Sequence, residues 1–202
     1  MPEVSCRCGE VRGRVEQASP KTVNRVVCYC DDCQALAHHL GRRDLLDAHG
    51  GSDIIQVAPA TLTFVQGQAR IAGLRLTPKG LFRWYAACCN TPVGNTASPA
   101  LPFVGLPAAA FATAAQSPDA LFGAPIGAIK GEYAIGETPP GSKGIALRLM
   151  AQVVPKFIGW KLTGQAWPHP FFDRATRRPV YPLTVLTADA RERLRPLCGP
   201  KP

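Results

Sequence analysis

Short runs of alternating apolar and polar residues fill the first half of the chain, separated at regular intervals by turn-forming residues. Residues 4–8, 10–16 and 22–28 are such runs, divided by Gly9 and by Ser19-Pro20. Residues 53–57, 61–66, 69–77 and 81–87 follow, punctuated by Pro59, Gly67 and Pro78-Lys79-Gly80. Evenly spaced strands of this length predict antiparallel sheets rather than a parallel α/β sheet. Among them, residues 31–40 read as one short helix closed by Gly41. The expected fold class is therefore mainly β, with helices concentrated towards the C-terminus.

The pattern changes after Thr91, where sixteen of the twenty prolines lie. Residues 98–141 read as loop-rich, with one short helix that has Ser117 as N-cap and Pro118 at its first position. Residues 145–163 predict a longer helix, kinked at Pro155. Arg148, Gln152 and Lys156 form its narrow polar stripe, and Leu149, Met150, Val153, Phe157 and Ile158 its wide apolar face. That face packs on the sheet, joins two copies as a homodimer, or lies on a membrane surface. A last helix is expected over residues 187–197, with Thr187 as N-cap and Arg191, Arg193 and Arg195 towards its end. The division is thus a β domain over residues 1–141 and a basic helical extension over residues 142–202.

Composition narrows the class. Apolar residues make up 46% of the 202 and charged residues 18%, enough for a packed core and unlike a disordered chain. The net charge of +9 is uneven. Residues 1–141 hold 12 Lys+Arg against 11 Asp+Glu, and residues 142–202 hold 11 against 3. No helix-turn-helix, RNP or finger spacing accompanies the basic segment, so nucleic acid is not the expected partner. Met1-Pro2-Glu3-Val4-Ser5-Cys6 has neither a basic nor an apolar leader region, and no apolar run reaches the length of a membrane span. The expectation is a cytoplasmic protein, in which eight cysteines serve as metal ligands or reactive thiols rather than disulfides.

Seven of those cysteines form three clusters: Cys6-Arg7-Cys8, Cys28-Tyr29-Cys30-Asp31-Asp32-Cys33, and Cys88-Cys89. In a strand, residues two apart share a face, so Cys-x-Cys delivers two sulfurs to one side. Cys30-x-x-Cys33 has the turn spacing that closes two thiolates around a tetrahedral ion, and soft thiolates select Zn²⁺. Seven sulfurs exceed four coordination positions, so two sites are expected. Cys6 and Cys8 with Cys88 and Cys89 make a cross-linking, structural zinc site. Cys28, Cys30 and Cys33 make a second, more labile one whose fourth position is open to water, a substrate thiol, or His38 or His39. Trp84 and Tyr85 read as core aromatics, and Cys198 as a bystander thiol near the end of the chain.

Ser5-Cys6-Arg7-Cys8-Gly9-Glu10-Val11, then Cys28-x-Cys30-x-x-Cys33-Gln34, then a cysteine turn after an aromatic strand resemble the glutathione-dependent formaldehyde-activating enzymes. The resemblance covers roughly residues 4–95. It implies a zinc-bearing β-tent, with Cys6, Cys8 and Cys89 on structural ligands and Cys28, Cys30 and Cys33 on the reactive site. It also implies carbon–sulfur lyase chemistry joining glutathione and formaldehyde. At the third cluster the family has Cys-x-x-Cys, whereas this chain has Ala86 at the first of those places and Cys88 beside Cys89. Three functions stay open on the residues: a lyase acting on a glutathione–aldehyde or similar thiol adduct, a non-enzymatic zinc module binding a partner through its basic helices, and a thiol redox or metal-buffering role.

Overall fold

A computed structural model of the chain describes residues 1–111 and 117–200. Two sheets carry it. β1 (Glu3–Ser5), β2 (Arg12–Val15) and β5 (Leu62–Gln66) form a three-stranded antiparallel sheet in the order β1-β2-β5. The larger sheet contains β3 (Asn24–Cys28), β4 (Ser52–Val57), β6 (Ile71–Arg75), β7 (Phe82–Ala86), β8 (Thr91–Thr96) and β9 (Val104–Pro107). Two short strands, β10 (Gly127–Ile129) and β11 (Leu183–Val185), complete it in the order β10-β3-β4-β9-β8-β7-β6-β11. Its six inner strands are antiparallel, and only β10 and β11 pair in parallel. The protein is mainly β, as the strand spacing predicts.

The main core fills the space between the sheets. Val4, Val11, Val15, Leu62 and Phe64 on the small sheet and its turns meet Ile55, Val57, Ile71, Trp84, Val93 and Leu106 on the large one. Phe171 completes it by stacking on Trp84 with ring centroids 4.8 Å apart. Gly94 makes that stacking possible, because a Cβ there would lie 2.8 Å from the Phe171 ring. Strand alternation sends the other residues to the opposite face, which helices cover. Leu36 of α1 (Asp31–His39) and its C-cap Leu40 pack on Leu74 and Leu76. Leu149 and Val153 of α3 (Leu147–Leu162) pack on Val26 and Ile54.

The helix signals of the sequence reappear in the caps. Ser117 Oγ accepts the Ala120 N–H at the start of α2 (Pro118–Phe122), and Thr187 Oγ1 accepts the Ala190 N–H at the start of α4 (Ala188–Leu194). α1 ends at Leu40, followed by Gly41 at φ +67°. α3 runs through Pro155 and buries a narrower face than its sequence predicts. Leu149, Val153 and Trp160 are buried, but Met150 and Ile158, expected in the core, are 39% and 53% exposed. No described helix is long and apolar enough to cross a membrane.

Candidate metal centres

Two turns meet at the first centre. β1 ends at Ser5, so Cys6 and Cys8 lie in the turn before β2 rather than on one strand face. Their sulfurs converge because the Gly9 N–H bonds the Cys6 carbonyl at 2.9 Å and closes the turn, with Gly9 at φ +77°. Cys88 and Cys89 likewise sit in the turn between β7 and β8, which Asn90 permits at φ +55°. Neighbours that would diverge on a strand thereby reach the same point. The Sγ separations are 3.5 Å for Cys6–Cys8, 3.4 Å for Cys8–Cys88, and 3.9 Å for both Cys6–Cys88 and Cys88–Cys89. A tetrahedral ion with ~2.3 Å bonds to sulfur sets such edges at about 3.8 Å. These four cysteines can hold a metal ion.

Thr91 organises the charge of this centre. Its hydroxyl accepts the Arg7 N–H at 3.1 Å and Arg42 Nη1–H at 2.7 Å, which leaves its own proton to point at Cys89 Sγ, 3.1 Å away. Burial pushes the Cys89 thiol up, but the Thr91 hydroxyl, the Cys8 amide and the neighbouring thiols outweigh it and bring the pKa down to about 6. Cys88 shifts upwards, driven by burial and by its hydrogen bonds with Cys8 and Cys6. The Val11 N–H donates to Cys6 Sγ at 3.3 Å, adding a backbone dipole that favours thiolate.

The second centre lies under the helix-covered face of the large sheet. Cys28 is the last residue of β3, Cys30 is the N-cap of α1 and Cys33 lies in its first turn. Their sulfurs are all within 4.8 Å of one another, so this group too can hold a metal ion. Hydrogen bonds from Cys28 and Cys30 hold Cys33 well below the ordinary thiol range, and Arg83 reinforces them against the cost of burial. The helix N-terminus adds its positive end to the same sulfur. Hydrogen bonds with Cys30 and Cys33, and then burial, push the Cys28 thiol up.

Arg83 is 2% exposed and stands on the face of β7 opposite Trp84, its Nη1 3.6 Å from Cys33 Sγ. A buried guanidinium needs a counter-charge, and the three-sulfur group supplies it. Beside it a narrow slot is lined by Cys33, Arg83, Leu45, Asn95 and Pro107, next to a wider hollow. That hollow is about 430 Å³, is lined by Cys6, Cys8 and Thr91 of the first centre with Arg7 and Arg42, and shares Leu45, Pro92 and Pro107 with the slot.

A family model described as a family of unknown function (DUF6151) matches residues 1–182. The chain belongs to that family. No curated protein matches this DUF6151 chain. A crystal structure of a Rhodobacter sphaeroides protein is similar at 16% identity with a TM-score of 0.37, over 54% of this chain and 85% of that one.

Other residues singled out in the sequence fall elsewhere in the DUF6151 chain. Neither His38 nor His39 joins the three cysteines among the described residues. Both sit at the far end of α1, five and six residues on, about 7–9 Å along the axis from Cys33. Trp84 is fully buried in the core, with Nε1–H donating to Thr96 Oγ1 at 3.1 Å. Cys198 is half-buried, with its thiol 3.4 Å from the Leu194 carbonyl and 3.6 Å from that of Asp31. Arg191 reaches from α4 to Asp31 at 2.9 Å and Asp32 at 3.1 Å, and so ties the C-terminal helix to the turn that holds Cys30 and Cys33. Sequence reasoning missed Arg83, Thr91 and Arg191. The one available signal was a charge inside the apolar run Phe82-Arg83-Trp84-Tyr85-Ala86.

Proposed function

We propose that both centres bind zinc and that the second serves carbon–sulfur chemistry on a small thiol adduct of the glutathione–aldehyde kind. The observation that carries this reading is the unequal donor count: four sulfurs at one centre, three beside a buried arginine and a slot at the other. Four thiolates close a structural site, whereas three protein ligands leave the position that chemistry needs. Zinc bound there would hold a substrate sulfur as thiolate. The chain's own residues do the rest. Cys28, Cys30 and Cys33 present the ligand set, and Arg83 offsets its negative charge. Leu45, Pro92 and Pro107 lie between the slot and the hollow that borders the first centre, and Arg7 in that hollow would face the carboxylates of the substrate. The likeness of the cysteine order to the formaldehyde-activating enzymes supports the same chemistry.

Chelator competition with metal and thiol counting tests it. The expected result is two zinc ions per chain, released in two phases, with Cys30→Ala deleting only the fast one. Glutathione with formaldehyde should raise the melting temperature of the wild type and not of Cys30→Ala. A single slow phase, or a Cys30→Ala chain that fails to fold, makes both ions structural and leaves a zinc-stabilised binding module.

A further inference from the structure

α3 carries two apolar faces, and only one is used by the fold. Successive helical residues turn by about 100°, so Leu147, Ala151, Pro155, Ile158 and Leu162 fall in one arc directly opposite the buried Leu149, Val153 and Trp160. Leu147 is 85%, Ile158 53% and Leu162 81% exposed. Arg148 flanks this outward stripe on one side and Lys161 on the other, both exposed. From Glu137 to Asp173 the chain holds no acidic residue between those two.

The stripe ends at a basic hollow. Beyond Leu162 a depression of about 620 Å³ is lined by Lys161, Trp167, Arg174 and Arg177, with Pro99 and Ala100 on its other wall. Arg177 lies 4.5 Å over the Trp167 ring, and none of these three cations makes an ion pair among the described residues. Asp173, the nearest acid in sequence, spends its Oδ1 on the Thr176 N–H and hydroxyl at 2.8 Å.

We propose that this face docks in the plane of an anionic membrane surface. The outward leucines and isoleucine enter the acyl boundary, Arg148 and Lys161 extend their stems along it to reach phosphates, and the Lys161–Arg174–Arg177 hollow receives a lipid headgroup phosphate. Charge decides the occupant. A second copy would bring the same unopposed cations against this face, whereas an anionic leaflet neutralises them while covering the apolar stripe.

Flotation with vesicles of about three parts phosphatidylcholine to one part phosphatidylserine tests the proposal, using the full zinc-loaded chain. Binding is expected near 0.1 M salt, and loss near 1 M salt or on pure phosphatidylcholine. The double variant Ile158→Asp/Leu162→Asp should weaken partitioning by at least about tenfold. Arg174→Gln/Arg177→Gln should weaken it by about thirtyfold. All four positions are exposed, so melting temperatures should stay put. Several results would overturn the proposal: no flotation, flotation indifferent to both variants, retention of nucleic acid without vesicle binding, or a dimer in sedimentation that Ile158→Asp/Leu162→Asp dissolves while vesicles stay bare.

Discussion

The two cysteine centres offer the same ligand chemistry from differently connected stretches of chain. The first joins turns 82 residues apart in sequence, fastening the small sheet to the β7–β8 turn of the large one. The second gathers its sulfurs from six consecutive residues, at a single strand-to-helix junction. A cross-link between distant segments removes far more freedom from the unfolded chain than a local loop does. Under the proposed function, metal at the first centre would belong to folding, and metal at the second to whatever the open position does. Their charge is also handled differently. Thr91 and backbone N–H groups serve the first, while a whole guanidinium is buried for the second.

Cys8→Ser attacks this contrast where the effect is largest. Loss of the cross-link should cost several kcal/mol and lower the melting temperature by about 10 °C or more, while Cys30→Ala leaves it nearly unchanged. Equal losses in the two variants would erase the distinction.

Acid separates the centres only after His169 is accounted for. Its ring is 8% exposed, Nδ1 accepts the Phe171 N–H at 3.1 Å, and Nε2 is buried without a partner among the described residues. Burial lowers its pKa to about 4 from 6.5, so between those values the unfolded chain binds the proton and the folded chain does not. Stability is full above pH ~6.5 and declines as pH falls towards 4, by about 3 kcal/mol in total. His169→Gln should flatten that limb in urea melts, and the remaining acid sensitivity would report release of any metal held by the cysteines.

Arg83→Leu should loosen zinc at the second centre by about tenfold, the scale of a lost supporting partner, with the slow chelator phase unmoved. Arg191→Ala has the smallest effect. It frees the Asp31–Asp32 turn, costs about 1 kcal/mol, and speeds the fast phase alone by a few fold. A matching change in the slow phase would show that the centres are coupled through the sheet.

The seven strands before Cys88 were legible because each combines period-2 alternation with a Gly or Pro boundary. β8 was not, since Pro92 and Gly94 read as breakers. Pro92 is tolerated beside the register shift at Trp84/Tyr85, and Gly94 is small because Phe171 arrives from far along the chain to lie on it. β10 and β11 have three residues each and pair in parallel at the sheet edges, too short for any pattern. The cysteine groupings followed from spacing and count, though turns rather than strand faces bring the sulfurs together. Arg83, Thr91 and Arg191 were hidden because each acquires its role only through partners about 50 to 160 residues away.

The split ligand set of the first centre also orders events during synthesis. Cys88 and Cys89 leave the ribosome some eighty residues after Cys6 and Cys8, about 4–16 s later at ordinary elongation rates. The second centre has all three sulfurs in hand within a second or so of its first. On the proposed function, a nascent chain would thus complete the ligand set of its exchangeable ion well before that of its permanent one. During that interval the leading pair is a bare dithiol, open to oxidation or to borrowing metal from the neighbouring cluster.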